Sequence, residues 1–491
     1  MSDVLPRGAP AAMPGTTLIL DIGKSNAKLA LADAGGAVLR STGVANASEH
    51  DEEHGYLALG VSRLEAWLLD AVPALLGGLV PDRIVVATHG AAFCALGDDG
   101  LVLPPIDYEW DGYGDTTAAF EASLANFGHH GTPPLGQGLN AGRQIDYVHR
   151  RWPELAARIR YWVPYPQYWS WWLCGVACTE VSSLGCHTGL WSPAHDRYSD
   201  WAVARGIARR FAPLRPAWDV IGELRPRLAR RWGLPAGIGI VAGVHDSNAC
   251  LARHLRAHPV ATIVSTGTWC VAMSPGAATG RLRPERDELV NVAVDGRPVP
   301  TARFMGGREF ARLSEGCDPA LATIEALREV LEAGWMALPS YAAGSGPMPD
   351  RQGQILLRGR LAPAGIEAVP LRLRAALAAL YCADMTMMLI EDLGPPEPTL
   401  SDAQAPVILE GPLAGNAAYL GAMSAALQPR PLLQSTDSLE GTARGAWMLA
   451  WWQASRSETE DSLRVVPPPG RRIAELLREH RRTLLSLVKA I

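Results

Sequence analysis

Lysine is nearly missing from this chain of 491 residues. Lysine and arginine together number 45, yet the lysines are only Lys24, Lys28 and Lys489. Basic runs and arginine stripes with interleaved aromatic residues are also missing, and the net charge is −5, so nucleic acid is not expected as a partner. No apolar stretch is evident that reaches the roughly 18 residues of a membrane span. The first sixteen residues lack the apolar core of a signal peptide and are expected to be a loose tail.

The eight cysteines form no CxxC pair. Cys174, Cys178, Cys186 and His187 lie close in sequence, but their spacing fits no standard zinc module, so no structural metal is expected there. Scattered cysteines without a disulfide framework are typical of the reducing cytoplasm. A hydrophobic content of 48% describes a globular chain, and the length predicts two domains of roughly 200–250 residues.

Two of the three lysines lie within five residues of each other in one short motif. The segments Thr17 to Leu20 and Ala27 to Ala32 have the apolar, β-prone character of two strands. The turn between them is glycine-containing and polar, and such a turn can cup a phosphate, with a lysine ammonium as a point charge for its oxygens and an aspartate to hold a metal through water. The alternative is an ordinary solvated hairpin. The candidate ligands are Asp21, Gly23, Lys24, Ser25, Asn26 and Lys28.

The same plan of strand, small polar turn and strand returns in residues 261–273, where the turn comprises Ser265, Thr266, Gly267 and Thr268. Gly267 lies 244 positions after Gly23, which is half the chain. The simplest interpretation is two related α/β domains that each open with this hairpin. We place the tail at 1–16, the first domain at 17–249 and the second at 250–491.

Further elements follow from hydrophobic periodicity. Strands are predicted at 83–87 and 407–409, and amphipathic helices at 62–76, 371–393 and 417–427.

A glycine followed by a His-Asp pair lies between the two hairpins, in residues 243–248. Asp246 either caps the helix that follows or acts as a general base that takes a proton from an attacking hydroxyl. His245 and Ser247 beside it are candidate substrate contacts. A later glycine turn contains Gly411, Gly415 and Asn416 and leads into a helix whose N-terminus favours anions.

In order and spacing, these motifs resemble the FGGY carbohydrate kinases of the actin/hexokinase superfamily. The resemblance implies two ribonuclease-H-like domains around a cleft that binds ATP and Mg²⁺, with Asp246 as the base and Asp21 and Asp246 near the metal. It also implies that the turn from Gly411 to Asn416 binds adenosine. The chain departs from the family there, because Gly-Pro-Leu stands where consecutive glycines are common. Lys24 is a second departure, since the family more often has Thr or Ser; we expect Lys24 to add charge for the γ-phosphate or to pair with Asp21 or Asp246.

The branch of rhamnulose and fuculose kinases looks nearest, because residues 86–93 resemble its sugar-contacting segment. This resemblance implies that His89 and Gly90 contact the sugar, although that branch usually has Asp and Trp where this chain has Ala87 and His89. The alternative for His89 is a histidine of the core. Trp110 is expected either to stack on a sugar face or to be a surface aromatic.

The sequence therefore predicts ATP-dependent phosphorylation of a sugar hydroxyl, for a ketose such as L-rhamnulose or L-fuculose. The alternatives are a pentulose kinase for xylulose or ribulose, and a non-catalytic nucleotide-dependent sugar sensor on the same fold. The expected partners are a small-molecule sugar and a second copy of the chain, with no nucleic acid and no membrane.

Overall fold

A computed structural model describes residues 15–124, 126–342, 344–394, 405–436, 441–454 and 463–490. The tail expected over residues 1–16 lies outside the described residues except for its last two positions. The strands of the first half are β1 Thr17–Ile22, β2 Asn26–Ala32, β3 Val38–Ala45, β4 Ser48–Asp51, β5 Tyr56–Leu59, β6 Arg83–Thr88, β7 Phe93–Leu96, β8 Tyr161–Pro164, β9 Trp191–Ser192, β10 Arg197–Tyr198, β11 Val220–Glu223, β12 Gly239–Val241 and β13 Val244–His245. Those of the second half are β14 Thr262–Thr266, β15 Cys270–Met273, β16 Glu288–Val292, β17 Pro298–Phe304, β18 Trp335–Leu338, β19 Gln354–Leu357, β20 Arg360–Leu361, β21 Val407–Glu410, β22 Leu432–Ser435 and β23 Leu463–Val465.

Helices cover the faces of the sheets that these strands form. In the first half they are α1 Val61–Leu76, α2 Thr116–Ser123, α3 Phe127–His130, α4 Ala141–Arg151, α5 Pro153–Arg158, α6 Tyr165–Cys174, α7 Val181–Leu184, α8 Asp200–Ala204 and α9 Pro226–Trp232. They continue as α10 Asp246–Leu255, α11 Gly306–Leu313, α12 Ile324–Ala333, α13 Leu371–Leu393, α14 Ala417–Leu427, α15 Gly441–Ala450 and α16 Arg471–Ala490.

The two large sheets share one strand order. The first runs β3-β2-β1-β6-β12-β11, with β13 also on β6, and the second runs β17-β15-β14-β21-β22-β23, with β16 added beside β17. In each, an antiparallel hairpin (β1–β2 or β14–β15) continues through a parallel neighbour (β6 or β21). Parallel strands buried on both faces have continuous apolar sequences, and β1 shows this in the run from Leu18 to Leu20. The prediction of two related α/β domains is confirmed.

Two separate cores lie on the outer faces of the sheets. The core of the first half packs α1, α6 and α9 against its sheet, and the core of the second half is built around α13. The sequence expectation that no stretch is long and apolar enough to cross a membrane is wrong for α13, which meets both criteria. Its most apolar stretch is 94% buried inside the protein, because it is packed on several sides by α11, α12 and α14. It is the central helix of a core.

A third core joins the two halves. It takes residues from both sheets, among them Ile19 and Val85 from the first and Ile263 and Ile408 from the second. Helices α10 and α15 contribute further residues, and they pack against each other. α15, although late in the chain, also contacts β1 and β6 of the first sheet. The domain boundary that we placed at 249/250 falls inside α10 and stays a prediction.

Candidate active site

The register of the first sheet brings three predicted site residues together. β6 lies between β1 and β13 and is parallel to both, with Ile22 and His245 each paired to Thr88. The next residue on each strand therefore leaves the sheet at the same edge, and these residues are Gly23, His89 and Asp246. Ligands bind at the carboxyl edge of such parallel strands.

Asp246 is the first residue of α10 and is held by its neighbours. Its Oδ1 accepts hydrogen bonds from the Ser247 backbone N–H at 2.6 Å and from the Ser247 hydroxyl at 3.2 Å. The His245 Nε2 lies 3.1 Å from the same oxygen. Burial alone would raise the pKa of Asp246, but the hydrogen bond and charge of His245 lower it below its ordinary value. Asp246 is therefore ionised at neutral pH and can accept a proton.

His245 is buried and has a second close neighbour. Its Nε2 lies 4.0 Å from the Cys186 Sγ, and its Nδ1 lies 3.2 Å from the Asn248 side-chain amide. Burial disfavours its charge, but Cys186 and Asp246 raise its pKa well above the ordinary value. A positively charged His245 keeps the Asp246 carboxylate in its ionised form.

Asp21 is the second carboxylate of the site. Burial and, to a smaller extent, the charge of Asp246 raise its pKa to about 7, while Lys28 acts in the opposite direction. Lys28 lies opposite Asp21 in the β1–β2 register. Two carboxylates whose negative charge is only partly offset fit a divalent cation. The described part of the chain holds no cluster of three or more metal-ligating side chains, so water and phosphate oxygens would complete the shell of a Mg²⁺ ion.

The first turn is closed by backbone hydrogen bonds. The Gly23 N–H donates to the Asn26 carbonyl at 2.9 Å, and the Asn46 N–H donates to the Ser25 carbonyl at 2.8 Å. Ser25 and Asn26 are exposed and available to a ligand.

Lys24 differs from its expected role. Its ammonium contacts the Asp107 carboxylate, and it lies 3.0 Å from the Ser48 hydroxyl and 3.4 Å from Glu109 Oε2. The expected pairing with Asp21 or Asp246 is wrong, because a buried carboxylate on a distant loop attracts the ammonium more strongly.

His89 has an unused acceptor. Its Nδ1 lies 2.9 Å from the Gly90 carbonyl, which places the proton on Nδ1, and its Nε2 is buried without a hydrogen-bond partner among the described residues. Burial lowers the pKa of His89, so the ring is neutral and Nε2 can accept a hydrogen bond from a hydroxyl. Gly90 packs against the His245 ring, which keeps this segment beside the base.

Tyr108 is the aromatic of its loop that lies beside His89, with 5.6 Å between the ring centroids. Trp110 instead packs edge-on against Tyr113 at 4.6 Å and Tyr147 at 5.1 Å. Tyr108, and not Trp110, is therefore the aromatic residue of this loop that lies next to His89. The sequence signal was present, since Tyr108 stands two positions before Trp110 in the same segment.

The second hairpin lines a cavity of about 580 Å³. Gly267 and Thr268 are exposed in it, and Ser265 is half-buried at the end of β14. The other lining residues are Gly307, Arg308, Phe310, Pro319, Pro412, Leu413 and Asn416. The volume suits a small ligand of nucleotide size.

Gly307 and Arg308 were missed by the sequence analysis. A β-carbon on Gly307 would lie 2.3 Å from the Gly267 carbonyl oxygen, so only glycine allows α11 to approach the hairpin turn this closely. The signal that could have found this contact is the pair of consecutive glycines after β17.

The glycine turn after β21 is fastened to the second hairpin. The Thr266 hydroxyl donates to the Glu410 carbonyl at 2.6 Å and accepts from the Leu413 N–H at 3.1 Å. Gly411 has a φ of 87°, and a β-carbon there would lie 1.8 Å from the Thr266 carbonyl oxygen. Gly415 is exposed, and Asn416 caps α14 by accepting from the Tyr419 N–H at 3.0 Å.

Helix α10 links the two sides of the site. It begins at Asp246 and carries Arg253 and His254 near its end, where both contact the Glu410 carboxylate, at 3.1 and 2.7 Å. Between Asp246 and Arg253 in this helix, Cys250 lies within electrostatic range of Glu410, Asp246 and Asp21. The candidate base and the glycine turn after β21 are therefore held by one helix.

Two related α/β domains whose polar strand ends meet at a shared helix are the architecture of the actin/hexokinase-like fold. The profile of the N-terminal domain of the FGGY family of carbohydrate kinases matches residues 134–252, and the profile of the C-terminal domain of carbohydrate kinase FGGY matches residues 258–459. A carbohydrate kinase from Novosphingobium aromaticivorans is 32% identical, with a TM-score of 0.84 over 98% of this chain and 99% of that chain. The chain belongs to the FGGY family of carbohydrate kinases.

Two further proteins are similar. The L-fuculokinase of Salmonella typhi is 26% identical over 275 residues, which are 52% of this chain and 56% of that protein. The chain thus matches about half the length of this curated relative, in agreement with the resemblance to the fuculose kinases. The xylulose kinase of Rhodospirillum rubrum has a TM-score of 0.75 over 97% of this chain and 98% of its own at 18% identity, which shows the fold alone.

Proposed function

We propose that this protein is an ATP-dependent sugar kinase in which Asp246 is the general base. The observation that carries the proposal is the common sheet edge where Gly23, His89 and Asp246 emerge side by side. A carboxylate that is ionised at neutral pH then lies beside a neutral histidine with a free acceptor. This arrangement suits a substrate with several hydroxyl groups, of which one loses its proton.

The residues around Asp246 have separate roles in this mechanism. His89 accepts a hydrogen bond from one hydroxyl of the sugar and so orients the neighbouring hydroxyl towards Asp246. His245 holds the base in its ionised form through the 3.1 Å contact, and Ser247 fixes its rotamer. In phosphoryl transfer, such positioning and charge neutralisation make up most of the catalysis.

The triphosphate is proposed to lie between the two hairpin turns. Exposed donors of the first turn, Ser25 and Asn26, would face it from one side and Thr268 from the other. Lys28, opposite Asp21, adds positive charge. Mg²⁺ at Asp21 and Asp246 would neutralise phosphate oxygens and orient them for in-line attack.

The base of the nucleotide is proposed to occupy the cavity beside the second hairpin. Gly415, Asn416 and Arg308 lie around this cavity or at its edge, and Arg308 has a side chain suited to a phosphate group. Gly411 supports the site through its close packing on Thr266.

For the sugar, we propose a ketose such as L-rhamnulose or L-fuculose, which the similarity to an L-fuculokinase supports. A protein that consumes ATP and sugar and carries eight free cysteines is proposed to work in the cytoplasm. A homodimer is the proposed assembly, and light scattering on the purified protein would measure it.

The test is an ADP-release assay with Mg·ATP on a panel of ketoses, pentuloses, aldoses and polyols. Asp246→Asn should lower turnover by on the order of 100- to 10,000-fold, because the base is lost, while calorimetry should find nearly unchanged affinity for ATP. Asp98→Asn is the matched control, since the Asp98 side chain is 85% exposed. Near-normal turnover of Asp246→Asn would remove this residue from the mechanism. ATP binding without turnover of any sugar would favour a nucleotide-dependent sensor.

A further inference from the structure

Lys24 belongs to the first phosphate turn by sequence but to a different part of the protein by its contacts. Its ammonium has three donors, and three acceptors surround it: Asp107, Ser48 at 3.0 Å and Glu109 at 3.4 Å. The Lys24 side chain is only 20% exposed. An ammonium whose donors are already used is poorly placed to bind a phosphate.

Asp107 is an anchor for Lys24 and has no face left for a ligand. Its side chain is completely buried. One carboxylate oxygen contacts Lys24 and the Ser48 hydroxyl, and the other accepts from the Glu109 N–H at 2.8 Å. A buried carboxylate is costly without a partner of opposite charge, so the conformation of residues 107–110 depends on Lys24.

Tyr108 lies near both Lys24 and the ring of His89. The Lys24 Nζ lies 5.3 Å from the centre of the Tyr108 ring, and the same ring lies 5.6 Å from that of His89. The cation–π contact with Lys24 holds the Tyr108 ring directly. The contact between Lys24 and Asp107 holds the residue that precedes Tyr108 in the chain. Lys24 therefore orders the Tyr108 ring, which forms an aromatic wall next to His89.

The charges at this wall also restrict the substrate. The positive charge of Lys24 is offset by Asp107 and Glu109, and His89 is neutral. A substrate carboxylate would meet a surplus of negative charge here, whereas uncharged hydroxyls would meet acceptors and an aromatic face.

We propose that Lys24 is a positioning residue of the sugar subsite, where it fixes Tyr108 against His89, and that this subsite takes a neutral polyhydroxylated sugar in preference to a sugar acid. The inference rests on the proposed sugar-kinase function and assigns a lysine of the phosphate turn to the recognition of the other substrate.

The first experiment separates the two substrates. Lys24→Met keeps the length of the side chain and removes its charge, so the KM for the sugar should rise by at least about tenfold because Tyr108 is displaced. The KM for Mg·ATP should stay within about twofold of the wild-type value. Lys24→Arg, which can still pair with Asp107, should recover part of the loss. Lys489→Met, at an exposed position of the last helix, is the matched control and should match the wild type.

Two further measurements keep the inference open to refutation. Asp107→Asn should reproduce the kinetic defect of Lys24→Met, and the double variant should be little worse than either single variant, since both changes break one contact. A rise of the KM for Mg·ATP equal to that for the sugar in Lys24→Met would overturn the positioning role, as would additive effects in the double variant.

Calorimetric titration with ATP and ADP covers the case in which no sugar is phosphorylated. Unchanged affinities in Lys24→Met would then support the exclusion of Lys24 from the phosphates while the sugar-kinase function fails. A loss for ATP larger than that for ADP would overturn the inference itself. If the wild type turns over sugars, an aldonate used better than the ketose or polyol of equal carbon number would overturn the proposed substrate class.

Discussion

The two hairpins are built on the same backbone plan but differ in chemistry. Both join antiparallel strands at the centre of a sheet, and both are closed by a glycine N–H that donates across the turn at 2.9 Å. The glycines Gly23 and Gly267 match, but the side chains around them differ in charge and polarity; the differing pairs are Asp21 and Ser265, Ile22 and Thr266, and Lys24 and Thr268.

The surroundings of each turn explain this difference. The first turn lies beside the candidate base and the sugar side, so it carries the charges, with Asp21 towards Asp246 and Lys24 towards Asp107. The second lies beside the proposed nucleotide cavity and carries uncharged groups, with Thr266 fastening the neighbouring glycine turn. The two hairpins thus share a backbone conformation, while the side chains of each turn suit the residues that surround it.

Among the matching positions of the two hairpins, the charged position Asp21 is expected to give the largest effect. Asp21→Asn should lower kcat by on the order of 100- to 1,000-fold, because phosphate charge at the first turn is no longer neutralised through a held cation. Ser265→Ala, at the matching position, should lose less than about tenfold, since a neutral hydroxyl contributes less. Turnover measured against Mg²⁺ concentration would test this, and equal losses in both variants would contradict the division of roles.

A smaller effect is expected from crowding the second turn. Gly307→Ala would push a methyl group against the Gly267 backbone oxygen, so the KM for ATP should rise by about tenfold while the KM for the sugar changes little. Gly280→Ala is the control, because a β-carbon at Gly280 meets nothing within 4 Å. Steady-state kinetics with each substrate varied in turn would decide, and a defect confined to the sugar would show that the cavity has been assigned wrongly.

The smallest effect concerns stability. Thr266→Val keeps the shape of the side chain but removes its bonds to Glu410 and Leu413, so the free energy of unfolding should fall by about 1 kcal/mol. Ile22→Thr, the reciprocal change in the first hairpin, should also destabilise, because its hydroxyl would be buried in an apolar core. Urea denaturation followed by tryptophan fluorescence measures both free energies of unfolding. An unchanged value for Thr266→Val would mean that the hydrogen bonds of the Thr266 hydroxyl do not stabilise the glycine turn.

Local patterns predicted much of the fold. The helices over 371–393 and 417–427 were predicted with the bounds that the structure shows, and α1 begins one residue earlier than expected. The hairpins and the repeat were visible because apolar periodicity and glycine turns act over short distances. The same signals indicated Asp21 and Asp246, whose neighbourhood follows from strand register.

The side-chain contacts that sequence reasoning missed depend on distant residues. Lys24 is drawn to Asp107, which is 83 positions away, and no local pattern predicts which of several carboxylates an ammonium will reach. Trp110 packs against Tyr113 and Tyr147 instead of lying beside His89, and Tyr147 belongs to α4, which is distant from Trp110 in sequence. The requirement for glycine at position 307 is evident only from the close approach of α11 to the second turn.

The packing of α15 has a consequence for biosynthesis. This late helix covers the inner face of the first sheet and leans on α10, so the first domain cannot bury that face while the ribosome is still translating the middle of the message. A nascent chain that has emerged only through β13 would expose apolar side chains such as Ile19 and Val85, a surface that chaperones recognise. The two domains, although each has its own outer core, must therefore complete their folding together.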